Sequence, residues 1–284
     1  MKYKRAIILI ITAILMLMTS CVSEVVETTV PATQTPPPYI PSTKSKTPEP
    51  TPEPTPTAAT PIPIYNDTPA PPGYLNIVFI GNSLIGLSLT AKRFDEIAQL
   101  YNRKVKTYNR WVAEASLTEL AQQYASGQYN DLLECADIVI LQEAGGLVQS
   151  ETKDAIEEFQ ELFNERAIFY FLPISFSTNL DDASQYEISG IGNIQNINSF
   201  YTAYYMLEHF SYDDLTYRDN RRPNMLYGLA LASTIYFTIF NHDNIETLFE
   251  NLDSNIIPGE TEEEEAEVAK HMKEAVKKAL EHKR

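Results

Sequence analysis

Three short runs of almost unbroken apolar sequence, at 75–80, 136–141 and 167–172, set the strongest limit on how this chain folds. Each is too short for a typical helix and is rich in Ile, Val, Leu and Phe. A strand with one wet face alternates apolar and polar residues, whereas a strand apolar at nearly every position is covered on both faces. Between and after these runs the spacing turns helical. Leu84, Leu87, Phe94, Ile97, Ala98 and Tyr101 form one stripe over 84–101. The pattern predicts a further short strand at 104–108, a loop at 110–116 and a helix at 117–126. Ser150 is the expected N-cap of a helix over 151–166, with Ile156, Phe159, Leu162 and Phe163 on its apolar side. Residues 181–196 read as a loop with irregular helix, and 197–210 as a helix rich in Tyr and Phe. Residues 225–240 are apolar on every face, yet 16 residues ending on Asn241-His242-Asp243 fit a buried helix better than a membrane span. The last helix, 261–281, is acidic first and basic last, as the helix dipole favours. Strands alternating with helices predict an α/β domain of three layers, an α/β/α sandwich around a mainly parallel sheet.

That pattern begins only near residue 73. Residues 1–21 open on the basic stretch Lys2-Tyr3-Lys4-Arg5 and continue to Met18 as sequence that is apolar but for Thr12, the form of an export signal. The stretch Leu17-Met18-Thr19-Ser20-Cys21 resembles a bacterial lipobox. The resemblance implies cleavage before Cys21, lipidation of its thiol, and a place on the extracellular face of the cell membrane. Residues 22–72 are dominated by Pro, Thr, Ala and Ser, as in Thr47-Pro48-Glu49-Pro50-Thr51-Pro52. Such a segment cannot bury enough apolar surface to fold, and its prolines favour extended polyproline II. At about 3.1 Å per residue it reaches roughly 160 Å, enough to hold a domain clear of a membrane. Residues 73–284 are then one domain able to bury a full core.

Charge narrows the partners. The formal net charge is −16, and losing Lys2, Lys4 and Arg5 with the leader takes it to −19. A chain this acidic is not expected to bind nucleic acid, or to meet a membrane except through its lipid anchor. Cys135 is the only cysteine of the domain, so no disulfide is expected. No Cys/His spacing suggests a metal, and nothing suggests a cofactor.

The chemistry centres on the first strand. After Ile80 the run breaks on Gly81-Asn82-Ser83 and a helical pattern follows, so a serine hydroxyl sits where a buried strand turns into a helix. In open parallel sheets, ligands bind at the carboxyl ends of the strands, and a helix N-terminus there favours negative charge. The second apolar run ends on Gln142-Glu143, which places two more polar side chains at the same sheet edge.

Together these blocks resemble the SGNH, or GDSL-type, hydrolase family, over most of 75–245. Gly81-Asn82-Ser83 matches the family's Gly-Asp-Ser, with Asn82 in place of Asp. Ala113-Glu114-Ala115-Ser116-Leu117 matches its second block, with Ala115 for Gly. Gln142-Glu143 after Ile138-Val139-Ile140-Leu141 matches its third. Asp219-Asn220-Arg221-Arg222-Pro223 matches Asp-x-x-His-Pro. The resemblance implies a flavodoxin-like fold and hydrolysis of an acylated carbohydrate or other small ester. It makes Ser83 the nucleophile, gives Ala115 and Gln142 to the oxyanion hole, and makes Asp219 the residue that orients the base. Arg222 stands where the catalytic His belongs, and a guanidinium has no lone pair with which to accept a proton. His209 is the first candidate for a replacement base, with Glu143 behind it. Two readings follow: an ester hydrolase with a degenerate catalytic block, or an inactive relative in which Arg222 grips an anionic or carbohydrate ligand through a bidentate contact.

Overall fold

A computed structural model describes residues 70–127, 129–143, 148–163, 166–176, 178–217, 223–252, 257 and 261–282. Five parallel strands form one sheet: β1 (Leu75–Gly81), β2 (Val105–Trp111), β3 (Ile138–Gln142), β4 (Ile168–Leu172) and β5 (Ile194–Asn196), in the order β2-β1-β3-β4-β5. This is the flavodoxin-like order of doubly wound sheets. The helices are α1 (Ser83–Leu87), α2 (Thr90–Leu100), α3 (Leu117–Ala125), α4 (Asn130–Leu133), α5 (Ser150–Leu162), α6 (Ser199–Met206), α7 (Tyr212–Leu215), α8 (Met225–Ile239), α9 (Ile245–Glu250) and α10 (Glu262–Glu281).

Strand pleating divides the core into two halves. Ile77, Phe79, Ile138 and Ile140 face α2, α6, α8 and α10. Val78, Ile80, Val139 and Leu141 face α3 and α5. All eight are buried, which is why the sequence shows no alternation in the central strands. The chain is thus an α/β/α sandwich of the flavodoxin-like kind. Helix α8 is the hub of its layer. Twelve of its residues are buried, so its lack of a polar face reflects enclosure on all sides by protein. No helix among the described residues is long and apolar enough to cross a membrane.

Several boundaries differ from the sequence expectation. The single helix expected over 84–101 is two, broken at Ser88 and Leu89, with Leu89 in the left-handed region at φ 58°. The reason is tertiary: Gly228 of α8 packs so closely on the Ser88 carbonyl that a Cβ there would overlap its oxygen. Strand β2 runs on to Trp111, into the expected loop. Helix α5 begins at Ser150, with Gln149 rather than Ser150 as its cap. Residues 181–196 contain a 3-10 turn, Leu180–Gln185, and the edge strand β5, which three residues of weak pattern did not announce. At the start of the domain, Ala70 N already donates to the Tyr108 hydroxyl at 3.1 Å, three residues before the boundary that composition suggests.

Candidate functional site

The site grows from the end of β1. Asn82 is the N-cap of α1: its Oδ1 accepts from Leu84 N at 3.0 Å, while its Nδ2 donates to the Ala115 carbonyl at 3.3 Å. One side chain therefore caps the helix and ties it to the loop after β2. Asn82 is 3% exposed, so these bonds form away from water and hold the turn firmly. The next residue, Ser83, is the first of α1 and half-exposed. Its amide, at the first helical position, has no acceptor within the helix. Its hydroxyl makes no hydrogen bond with another described residue.

Gln142 closes the turn from the side of β3. It is fully buried, its Oε1 accepts from Asn82 N at 2.9 Å, and its Nε2 donates to the Glu143 carbonyl. The side chain passes over Gly81, where a Cβ would come within 2.5 Å of Oε1. A glycine at the end of β1 is thus a steric requirement of the Gln142 contact. Glu143 is 6% exposed and lies at the start of α3, accepting from Leu117 N at 3.3 Å and from Thr152 Oγ1 at 3.4 Å. A carboxylate there suits the positive end of α3. Ala115 is also engaged: its amide donates to the Val112 carbonyl at 3.3 Å. For Ala115 N or Gln142 Nε2 to serve an oxyanion, each would have to give up the bond described. Beside Ala115 opens a groove of about 600 Å³ lined by Ala113, Glu114, Glu119, Gln122 and Gln123, among others. The buried Gln123 Oε1 in it has no hydrogen-bond partner.

Asp219 and Arg222 lie outside the described residues, but both flanks of their segment are fixed. The Tyr217 hydroxyl donates to the Leu87 carbonyl at the end of α1, at 3.0 Å. Thr216 pairs with Pro223, and Asn224 N donates to the Leu215 carbonyl at 2.9 Å. The described residues on either side of that block are therefore joined to each other, and Tyr217 also to α1.

All four histidines are described, and none makes a hydrogen bond, ion pair or ring contact with a residue of α1 among the described residues. His209, past the end of α6, stacks on His271 of α10 at 4.1 Å and has Glu274 at 3.9 Å. His282 stacks on Tyr201. His242 sits in the turn after α8, next to Asp243, which pairs with Arg103 just before β2, at the edge of the sheet opposite Ser83. No hydrogen bond or ring contact among the described residues joins a histidine to Ser83. Sequence reasoning named Asn82, Gln142 and Glu143 but missed their roles as braces, because those depend on partners 26 to 60 residues away.

No protein-family model matches this sequence, and no curated protein does. Solved structures do resemble it. A DUF4886 family protein from Bacteroides uniformis superposes with a TM-score of 0.53 at 15% identity, over 73% of this chain and 96% of that one. The likeness is one of fold. The lipase Lip_vut3 from a goat rumen metagenome matches at 12% identity over 57% of this chain and 95% of its own, with a TM-score of 0.45. The psychrotrophic esterase EstA from Pseudoalteromonas matches at 11% identity over 59% and 97%, with a TM-score of 0.41.

Proposed function

We propose that this chain is a surface-anchored domain of SGNH type that binds an acylated carbohydrate or other small ester or anion at the Ser83 turn, and that it turns esters over poorly. The placement of the four histidines carries this reading. An alcohol keeps a high pKa unless a base takes its proton, and His209, the first substitute expected, lies against His271 and Glu274 with no described contact to Ser83. Arg222, which follows Tyr217 and precedes Pro223 in the sequence, supplies a permanent positive charge suited to a carboxylate or phosphate. Glu114, Glu119, Gln122 and Gln123 in the adjoining groove offer the hydrogen-bonding groups that a carbohydrate needs. Lipid attachment at Cys21 and the Pro/Thr-rich tether place the domain outside the membrane in this reading.

A second reading, a working ester hydrolase, is favoured by one observation. Ser83 presents an uncommitted hydroxyl and an unpaired amide at a helix N-terminus, the arrangement in which an alkoxide and its oxyanion are stabilised. One assay separates the two. Wild type, Ser83→Ala and Arg222→His are compared on short acyl esters. We expect wild type to match Ser83→Ala, and Arg222→His to gain activity that disappears in Ser83→Ala/Arg222→His. A positioned base is worth about 10²–10⁴-fold. Brisk wild-type turnover that is lost in Ser83→Ala would establish the hydrolase reading instead.

A further inference from the structure

The pair of histidines that the proposed function leaves unused forms a site of its own. His209 lies just past α6, and His271 and Glu274 lie one turn apart on α10. One donor atom from each of the three comes within 4.8 Å of the others. The imidazoles stack face to face at 4.1 Å and 18°. Neither ring is hydrogen-bonded to a described residue. The Nδ1 of His271 is buried without a partner, and its Nε2 has only Glu267 Oε1, at 3.5 Å.

Such an arrangement is costly as it stands. A buried ring nitrogen without a partner loses its hydration and gains nothing in return. Two stacked rings left with open lone pairs and a carboxylate alongside are instead what a metal ion would satisfy. We propose that His209, His271 and Glu274 bind a divalent transition metal, with Zn²⁺ as the best fit, and that the ion clasps the segment after α6 to the C-terminal helix. The donor set decides the class: imidazole nitrogen suits Zn²⁺, Co²⁺ or Ni²⁺, whereas Ca²⁺ and Mg²⁺ prefer all-oxygen cages. Zn–N and Zn–O bonds near 2.0–2.1 Å put tetrahedral donors about 3.3 Å apart. Closing from 4.8 Å requires the stacked rings to turn until their nitrogens converge, with the Glu274 side chain, 42% exposed, rotating to meet them. Water would complete the coordination of the ion. Spacing along the chain gave no hint of this site, because its two halves come from elements far apart in sequence.

The backbone around the site is already braced. Lys278 pairs with Glu208 at 2.6 Å, beside His209. The start of α6 is tied to the end of α10 through Asn198 Nδ2, which donates to the Ala279 carbonyl at 2.7 Å. The ion would close the other end of the α6–α10 contact.

The test uses the full chain, stripped with chelator and titrated with Zn²⁺ by calorimetry and with Co²⁺ by visible absorption. We expect one ion per chain, tetrahedral Co²⁺ bands, and a Tm that rises with Zn²⁺ concentration. Hydrogen exchange should slow over 207–214 and 262–281 but not around β1 and α1. His209→Ala and His271→Ala should each abolish binding, and Glu274→Gln should weaken it. His242→Ala and Cys135→Ser should leave it unchanged. His209 is at the surface, so its variant should fold even if His271→Ala does not. A Tm unmoved by Zn²⁺, Co²⁺ that keeps its hydrated spectrum, or binding that survives in His209→Ala/His271→Ala would each overturn the proposal.

Discussion

Gln142 shows how much one side chain can organise. Its amide fixes the Asn82 backbone from one side and the Glu143 carbonyl from the other, without exposure to water. Removing one partner of a buried hydrogen bond leaves the other unsatisfied, at about 1–3 kcal/mol. Gln142→Ala strands two groups and also opens a cavity. We expect a loss of about 2–4 kcal/mol in denaturant unfolding, together with weaker ligand binding at Ser83. Gly81→Ala should act on the same contact from below, because its methyl would enter the space of Gln142 Oε1. Ser83→Ala, whose hydroxyl is uncommitted, should leave the melting temperature within about 1–2 °C of wild type. A large drop with Ser83→Ala would mean that the hydroxyl is part of the scaffold.

At the scale of elements, two junctions matter. One is the break between α1 and α2, which exists because α8 presses Gly228 against Ser88. Gly228→Ala should push these helices apart, at several kcal/mol, and so disturb α1 and its bond from Tyr217. The other is the docking of α10 on α9 through Glu246, which pairs with Lys273 at 2.8 Å and Lys277 at 2.5 Å. Those two ammonium groups lower the Glu246 pKa from 4.5 to about 2. A carboxyl whose folded pKa is depressed adds stability above its unfolded pKa and loses it as pH falls through the folded value. The stability gap between wild type and Glu246→Gln should thus be full at pH 6, shrink below about 4.5 and vanish near 2. A gap independent of pH would show that the pairs are electrostatically silent.

For the whole molecule, the two half-cores share one sheet, so a charge placed in the middle of it should unfold both. Val139 is fully buried in β3 between α3 and α5. Val139→Asp buries a carboxylate without a partner, and the expected loss of several kcal/mol is comparable to the total stability of a typical domain. Loss of the cooperative transition in circular dichroism would match. A variant with unchanged Tm would show that the sheet tolerates water there. The tether belongs to this scale too. From its composition, limited proteolysis of the full chain should release a stable core that begins near Ala70, where the amide meets Tyr108.

What the sequence determined by itself was whatever depends on near neighbours. Runs of apolar residues with no alternation can satisfy water only by being covered on both faces, so β1, β3, β4 and the three-layer plan were legible. The strand–turn–helix at Gly81-Asn82-Ser83 was legible for the same local reason, and so was the buried character of α8. Edge strand β5, the break at Leu89 and the short helices α4, α7 and α9 were not. Each is held by contacts from distant segments that outweigh weak local preference. The site divides along the same line. Residue types named Ser83, Asn82, Gln142 and Glu143, but only the fold decided that Gln142 turns inward to brace Asn82 and that Glu143 caps α3. The tertiary structure likewise decided that His209 stacks on His271, because a hydrogen bond or a ring contact depends on distance in space, and chain spacing fixes that distance only within a helix or a strand.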